Sequence, residues 1–122
     1  MGDPGLRACH IQDMYSQIEN ADYIVFGFPI YCYSISGVLK NFIDLFSHAM
    51  TNKFFGVCAA AGSNRSYLAI SDLYTILSFE SNSTGVQPSV VVDGSDFTDG
   101  ILNDNISKRI GTMLEVLSRS KN

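Results

Sequence analysis

The stretch Tyr23-Ile24-Val25-Phe26-Gly27-Phe28-Pro29-Ile30-Tyr31-Cys32-Tyr33-Ser34-Ile35-Ser36-Gly37-Val38-Leu39-Lys40-Asn41-Phe42-Ile43-Asp44 changes character in mid-course. Tyr23–Phe28 is a short, unbroken apolar run rich in β-formers and stopped by Pro29, which reads as a strand buried on both faces. Beyond Ser36 the apolar residues return at helical spacing. Val38/Leu39, Phe42/Ile43, Leu45/Phe46 and Ala49 form one stripe, with Lys40, Asn41, Asp44 and Ser47 on the other side. Ser36 stands where a hydroxyl can accept the first free N–H groups of that helix. A buried strand leading into an amphipathic helix is the repeating unit of an α/β domain.

Reading outward, the unit recurs. Upstream, Ile11, Met14, Tyr15 and Ile18 follow the i, i+3, i+4, i+7 spacing of a helix face, which Asn20-Ala21-Asp22 interrupts. Downstream, Phe54–Ala60 reads as a second buried strand, Gly62-Ser63-Asn64 as a turn, and Tyr67–Phe79 as a helix burying Ala69, Leu73, Ile76 and Leu77. A polar connection over Glu80–Gly85 leads to a third strand, Ser89–Val92, with Pro88 at its entry, where a missing N–H is tolerated. A last helix buries Ile106, Ile110, Met113, Leu114 and Leu117. It carries Lys108, Arg109, Arg119 and Lys121, cations that suit a helix's C-terminal half. Strands alternating with helices predict right-handed crossovers and a parallel sheet between helical layers, so the fold class is α/β with about three strands.

Composition narrows the function classes. A chain of 122 residues, 46% hydrophobic and 16% charged, has the apolar material for one core and no disorder signature, so 1–122 is read as a single domain. Its net charge of −4 leaves no electrostatic footprint for nucleic acid or an anionic membrane. No apolar run is long enough for a membrane helix and the first residues lack the order of a secretory signal, which predicts a cytoplasmic protein. Cys9, Cys32 and Cys58 match neither a metal knuckle nor a disulfide framework and read as reduced thiols. His10 and His48 have no further ligand type at metal spacing, so no metal is assigned. Asp93, Asp96, Asp99 and Asp104 lack the spacing of a calcium loop and read as loop and cap residues. Ser34, Ser36 and Ser63 lack a G-x-S-x-G context, which argues against a hydrolase triad.

In an open parallel sheet, ligands bind beyond the carboxyl ends of the strands, where loops diverge and helix N-termini converge. The loop Gly27–Gly37 places a proline, two tyrosines and main-chain amides there, which suits a flat aromatic ligand with polar edges. Gly27-Phe28-Pro29-Ile30-Tyr31 with Ser34-Ile35-Ser36-Gly37-Val38-Leu39-Lys40-Asn41-Phe42-Ile43-Asp44 resembles the G-x-P-x-Y…S-I-x-G-x-L-K-x-x-I-D stretch of the NAD(P)H-dependent FMN reductase family. Ala61-Gly62-Ser63-Asn64-Arg65 stands where that family has a Gly-rich loop against the flavin. The resemblance implies a three-layer flavodoxin-like parallel sheet. It also implies FMN as cofactor, NAD(P)H as co-substrate, and a hydride passed through the flavin to a small acceptor. It places the ring among Pro29, Ile30, Tyr31, Cys32, Ser34 and Ile35, with Gly62, Ser63 and Arg65 closing the other side, and it assigns no catalytic side chain.

Family members begin with a further strand and a G-S-x-R-x-x-S loop that cradles the FMN phosphate. Neither precedes Met1 here, so the domain is expected to be truncated at its N-terminus. Tyr23–Phe28 then becomes an edge strand, and association is expected to cover it, as a homo-oligomer or with a chain supplying the N-terminal half. A non-catalytic interaction or split-assembly protein is the alternative to the reductase. The Gly62–Ser66 loop leaves open a third reading, an anion or nucleotide binder.

Overall fold

The structure, a computed structural model, describes residues 4–120, so Lys121 lies outside the described residues. Helix α1 (Pro4–Asn20) leads into strand β1 (Tyr23–Tyr31), a two-residue strand β2 (Ser34–Ile35) and helix α2 (Gly37–Phe46). A 3-10 turn (Ser47–Met50) precedes β3 (Phe54–Ala60). A 3-10 segment (Asn64–Ile70) then opens helix α3 (Ser71–Ser81). Short strands β4 (Thr84–Gly85) and β5 (Val90–Val92), the hairpin β6 (Phe97–Thr98) and β7 (Ile101–Leu102), and helix α4 (Asp104–Arg119) complete the chain.

The expected α/β architecture is present. β1 lies parallel to β3 from Tyr23↔Phe54 to Pro29↔Ala60, and β3 lies parallel to both β4 and β5. The offset between partners is two residues larger at β5 than at β4, so Val86–Ser89 interrupts what is otherwise one strand. Ser36 caps α2 as expected, its Oγ accepting the Leu39 N–H at 3.2 Å.

Several details differ from the sequence reading. β1 does not stop at Pro29 but runs to Tyr31, because among the described residues no strand pairs with its outer edge over 23–29, and an edge tolerates a missing N–H. Nor is β1 buried on both faces. Ile24, Phe26 and Phe28 meet the larger core, whereas Val25, Gly27 and Pro29 on the opposite face are exposed. Tyr67–Phe79 is a 3-10 segment up to Ile70 and α-helical only afterwards. Val38, Leu45 and Leu114, assigned to buried stripes, are exposed.

The exposure of Val25, Gly27 and Pro29 follows from the uneven cover of the sheet. One face is packed by α1, α2 and α3 through Phe26, Phe28, Ile43, Phe46, Phe55 and Leu73. The other is packed by α4, through Met113 and Leu117 against Val86 and Val90. Gly56 shows how close that contact is, since a Cβ there would stand 2.8 Å from Met113 Sδ and 2.9 Å from Leu117 Cδ1. Over β1 that cover reaches only Tyr23, and a Cβ on Gly27 would meet nothing within 4 Å.

Candidate functional site

At the carboxyl end of β1 the chain reverses in a two-residue hairpin. Ile30 pairs with Ile35 and Tyr31 with Ser34, leaving Cys32 and Tyr33 as the loop, both in the left-handed region with φ of 48° and 61°. A loop of this shape matches the twist of its strands but favours Asn and Gly. For residues bearing a Cβ the left-handed conformation costs about 1–2 kcal/mol each. Cys32-Tyr33 supplies neither of the favoured residues.

Two long-range hydrogen bonds hold the hairpin instead. Tyr33 donates its hydroxyl to the carbonyl of Arg65 at 2.8 Å. Ser34 donates its hydroxyl to Asp72 Oδ2 at 2.7 Å. Arg65 lies in the 3-10 segment after β3, and Asp72 in the first turn of α3. The β1–β2 hairpin is thus tied to the next crossover at two points, each an exposed hydrogen bond of roughly 0.5–1.5 kcal/mol.

The expected ligand residues divide among several surroundings. Pro29 and Tyr31, the latter 62% exposed, line a cavity of about 400 Å³ with Gly27, Ser36, Val38 and Phe42. That volume lies in the range of small-molecule sites. Ser34 and Ile35 line a separate cleft with Lys40, Asp72 and Thr75. Ile30 and Ile35 are half-buried against the main core. Cys32 is an exposed free thiol at the tip of the turn. Gly62, Ser63 and Arg65 are exposed on the neighbouring loop, joined to the hairpin through the Arg65 carbonyl. Ser63 precedes the 3-10 segment without a side-chain cap hydrogen bond, and a Cβ on Gly62 would meet nothing within 4 Å.

A second cavity of about 430 Å³ opens on the α4 face, between β1 and the β6–β7 hairpin, lined by Gly27, Pro29, Cys58, Ala60, Phe97 and Leu102. Burial pushes the Cys58 thiol above its ordinary value, so it is held as a neutral apolar group. The acidic loop beyond β5 is structural in its contacts. Asp93 caps the 3-10 turn Gly94–Asp96 in a capping box, and Asn103 caps α4 by accepting the Ile106 N–H. The Ser95 hydroxyl, and then the Ser95 N–H, hold the Asp93 carboxyl below the usual range. Among the described residues no three His, Cys, Asp or Glu side chains gather as a metal site, and no helix is long and apolar enough to cross a membrane.

Sequence reasoning passed over Asp72 and the tethering role of Tyr33, because no local spacing links positions 32 or 38 residues apart. It also read the β6–β7 hairpin as loop. There a signal did exist, since Asp99-Gly100 between Phe97-Thr98 and Ile101-Leu102 is a strong two-residue hairpin sequence.

The sequence profile of NADPH-dependent FMN reductases matches residues 6–97. An NAD(P)H-dependent FAD/FMN reductase of Geobacillus thermodenitrificans is 40% identical over 70 residues, which are 56% of this chain and 38% of that protein. A solved NADH:FMN oxidoreductase in apo form superposes with a TM-score of 0.79 at 23% identity, over 93% of this chain and 60% of that one. The general stress protein 14 of Treponema denticola, solved in complex with FMN, superposes with a TM-score of 0.62 at 15% identity, over 89% of this chain and 72% of that one. The fold is therefore flavodoxin-like. This chain spans 38% of the curated relative's length and 60% of the apo oxidoreductase's.

Proposed function

Because this chain belongs to the NADPH-dependent FMN reductase family, we propose that it acts as an NAD(P)H-dependent flavoprotein oxidoreductase with FMN at the carboxyl end of β1. The observation that carries this reading is the cavity formed by Pro29, Tyr31 and the start of α2, with the Gly62–Arg65 loop tied beside it. Pro29 and Tyr31 supply apolar and aromatic faces to a flat ring. Main-chain N–H groups of the Cys32–Tyr33 turn, outside the hairpin ladder, are the donors for its polar edge, and the open space over Gly62 admits the ring close to the backbone. FMN, when bound, would supply the two-electron redox chemistry between NAD(P)H and a small acceptor. The chain's own contribution is position and exclusion of water, so no nucleophile or general base is required of it.

The test is optical. FMN fluorescence is expected to be quenched on titration with the protein, and NADPH to bleach the bound flavin's visible absorbance. An absence of quenching with protein on the order of tens of micromolar overturns the reading.

A second reading is favoured by one observation, the edge of β1 over 23–29, with which no strand pairs among the described residues. Tyr23–Pro29 contains no charged residue, so a second copy of this chain can pair with it antiparallel without like charges meeting. Light scattering is then expected to report a dimer at micromolar concentration, and Val25→Lys to return it to monomer. A wild-type monomer refutes self-association.

A further inference from the structure

The protein contains two hairpins of the same construction. In β6–β7, Phe97 pairs with Leu102 and Thr98 with Ile101, and the loop residues Asp99 and Gly100 have φ of 51° and 76°. In β1–β2 the pairing is equivalent, and the loop residues Cys32 and Tyr33 have φ of 48° and 61°. Asp-Gly adopts this geometry readily, whereas Cys-Tyr does not, so the second hairpin depends on contacts made elsewhere. The contacts it makes are those of Tyr33 with the Arg65 carbonyl and Ser34 with Asp72. Gly in place of Tyr33 would suit the turn and could not reach Arg65. Strain held by outside contacts beside a ligand cavity is the pattern of a preorganised site.

We propose that Tyr33 and Asp72 are positioning residues, which fasten the Cys32–Tyr33 turn to the Asn64–Ile70 segment and the start of α3 and so fix Tyr31, the residue before the turn, at the rim of the cavity. Neither need touch the ligand. Tyr33 acts through the Arg65 carbonyl, and Asp72 acts through Ser34, whose neighbours Tyr31 and Ile35 border the ring position proposed above. With the ties in place the turn and the Tyr31 rim are ordered before binding. Without them, binding must order them, and affinity falls accordingly. The effect on affinity rests on the flavin reading, but the ordering of the loop does not.

Tyr33→Phe and Asp72→Ala test the proposal with two measurements. The first is hydrogen exchange of the 62–70 backbone amides with no ligand present. Exchange is expected to quicken several-fold in both variants while the unfolding midpoint stays near that of the wild type. The second is FMN titration, in which each variant is expected to bind about fivefold to tenfold more weakly. Asp72→Asn retains an acceptor oxygen for Ser34 and is expected to recover most of that loss. Unchanged exchange in Tyr33→Phe and Asp72→Ala overturns the proposal, as does unchanged affinity in both where the wild type binds FMN. If the wild type fails to bind FMN, the flavin reading falls, and quickened exchange in the variants still upholds the tether.

Discussion

The two hairpins differ in where their stability comes from. Asp99-Gly100 is a local solution: residue types suited to the left-handed region close a turn that needs no help from afar. Its surroundings are local too. The Asn103 N–H donates to the Asp96 carbonyl at 2.8 Å and Asn103 Nδ2 donates to Asp96 Oδ1 at 3.1 Å. Cys32-Tyr33 is a tertiary solution, with an unfavourable backbone held by partners 32 and 38 residues along the chain. Where a turn agrees with its own sequence, architecture is a sufficient account of it. Where it disagrees and is tied across the molecule, the position of its side chains is what the fold preserves.

That contrast can be broken first at Gly100. Gly100→Val places a β-branched residue at φ 76°, and denaturant unfolding is expected to show a loss of about 2 kcal/mol. A loss below about 0.5 kcal/mol means the Asp-Gly turn is not the local determinant described here. Next in size is the exchange of one turn's chemistry for the other's. The double variant Cys32→Asn, Tyr33→Gly relieves the left-handed strain at two positions and removes one tie, to Arg65, so stability is expected to rise by about 1–2 kcal/mol. FMN affinity is nevertheless expected to fall, which separates fitness of the turn from fitness of the site. A variant that gains stability and keeps wild-type affinity removes the distinction between the hairpins.

The smallest effect lies in acid, beside the β6–β7 hairpin. The Asp93 carboxyl is held below its usual range by Ser95. Its contribution to stability is therefore present above the ordinary carboxyl value, about 4, and is lost as pH falls through the lower folded value. Asp93→Asn is expected to flatten the acid side of the stability profile slightly. A variant profile that is unaltered below pH about 4 shows that the Ser95 hydrogen bonds carry no linkage.

The two faces of the sheet repeat the lesson at larger scale. Gly56 and Gly27 lie on the same face, one beneath α4 and one under open space. Gly56→Ala is expected to cost about 1–3 kcal/mol by overpacking Met113 and Leu117, and Gly27→Ala to be nearly neutral by thermal unfolding. Equal costs contradict the uneven cover.

Much of the architecture was legible in the residues. The switch from an unbroken apolar run at Tyr23–Phe28 to a helical stripe centred on Phe42, Ile43 and Phe46 reports a strand and then a helix, because burial imposes its period on the sequence. The Gly27–Asp44 motif likewise exposes the family, and Ser36 the start of α2. Other features were readable and missed, such as the Asp99-Gly100 hairpin. Still others were not readable at all. Whether Val25 and Val38 are buried depends on which neighbours cover them, and an apolar side chain looks the same in the sequence whether or not a helix lies over it.

The sequence by itself determined the alternation of strands and helices and the residue types at the carboxyl end of β1, since hydrophobic period and turn chemistry act over a few neighbouring positions. Only the tertiary structure decided that Tyr33 meets Arg65, that Ser34 meets Asp72, and that β1 is covered on one face and, beyond Tyr23, open on the other. Those facts arise when the sheet brings distant segments together, and a hydrogen bond between residues so far apart leaves no periodic trace along the chain.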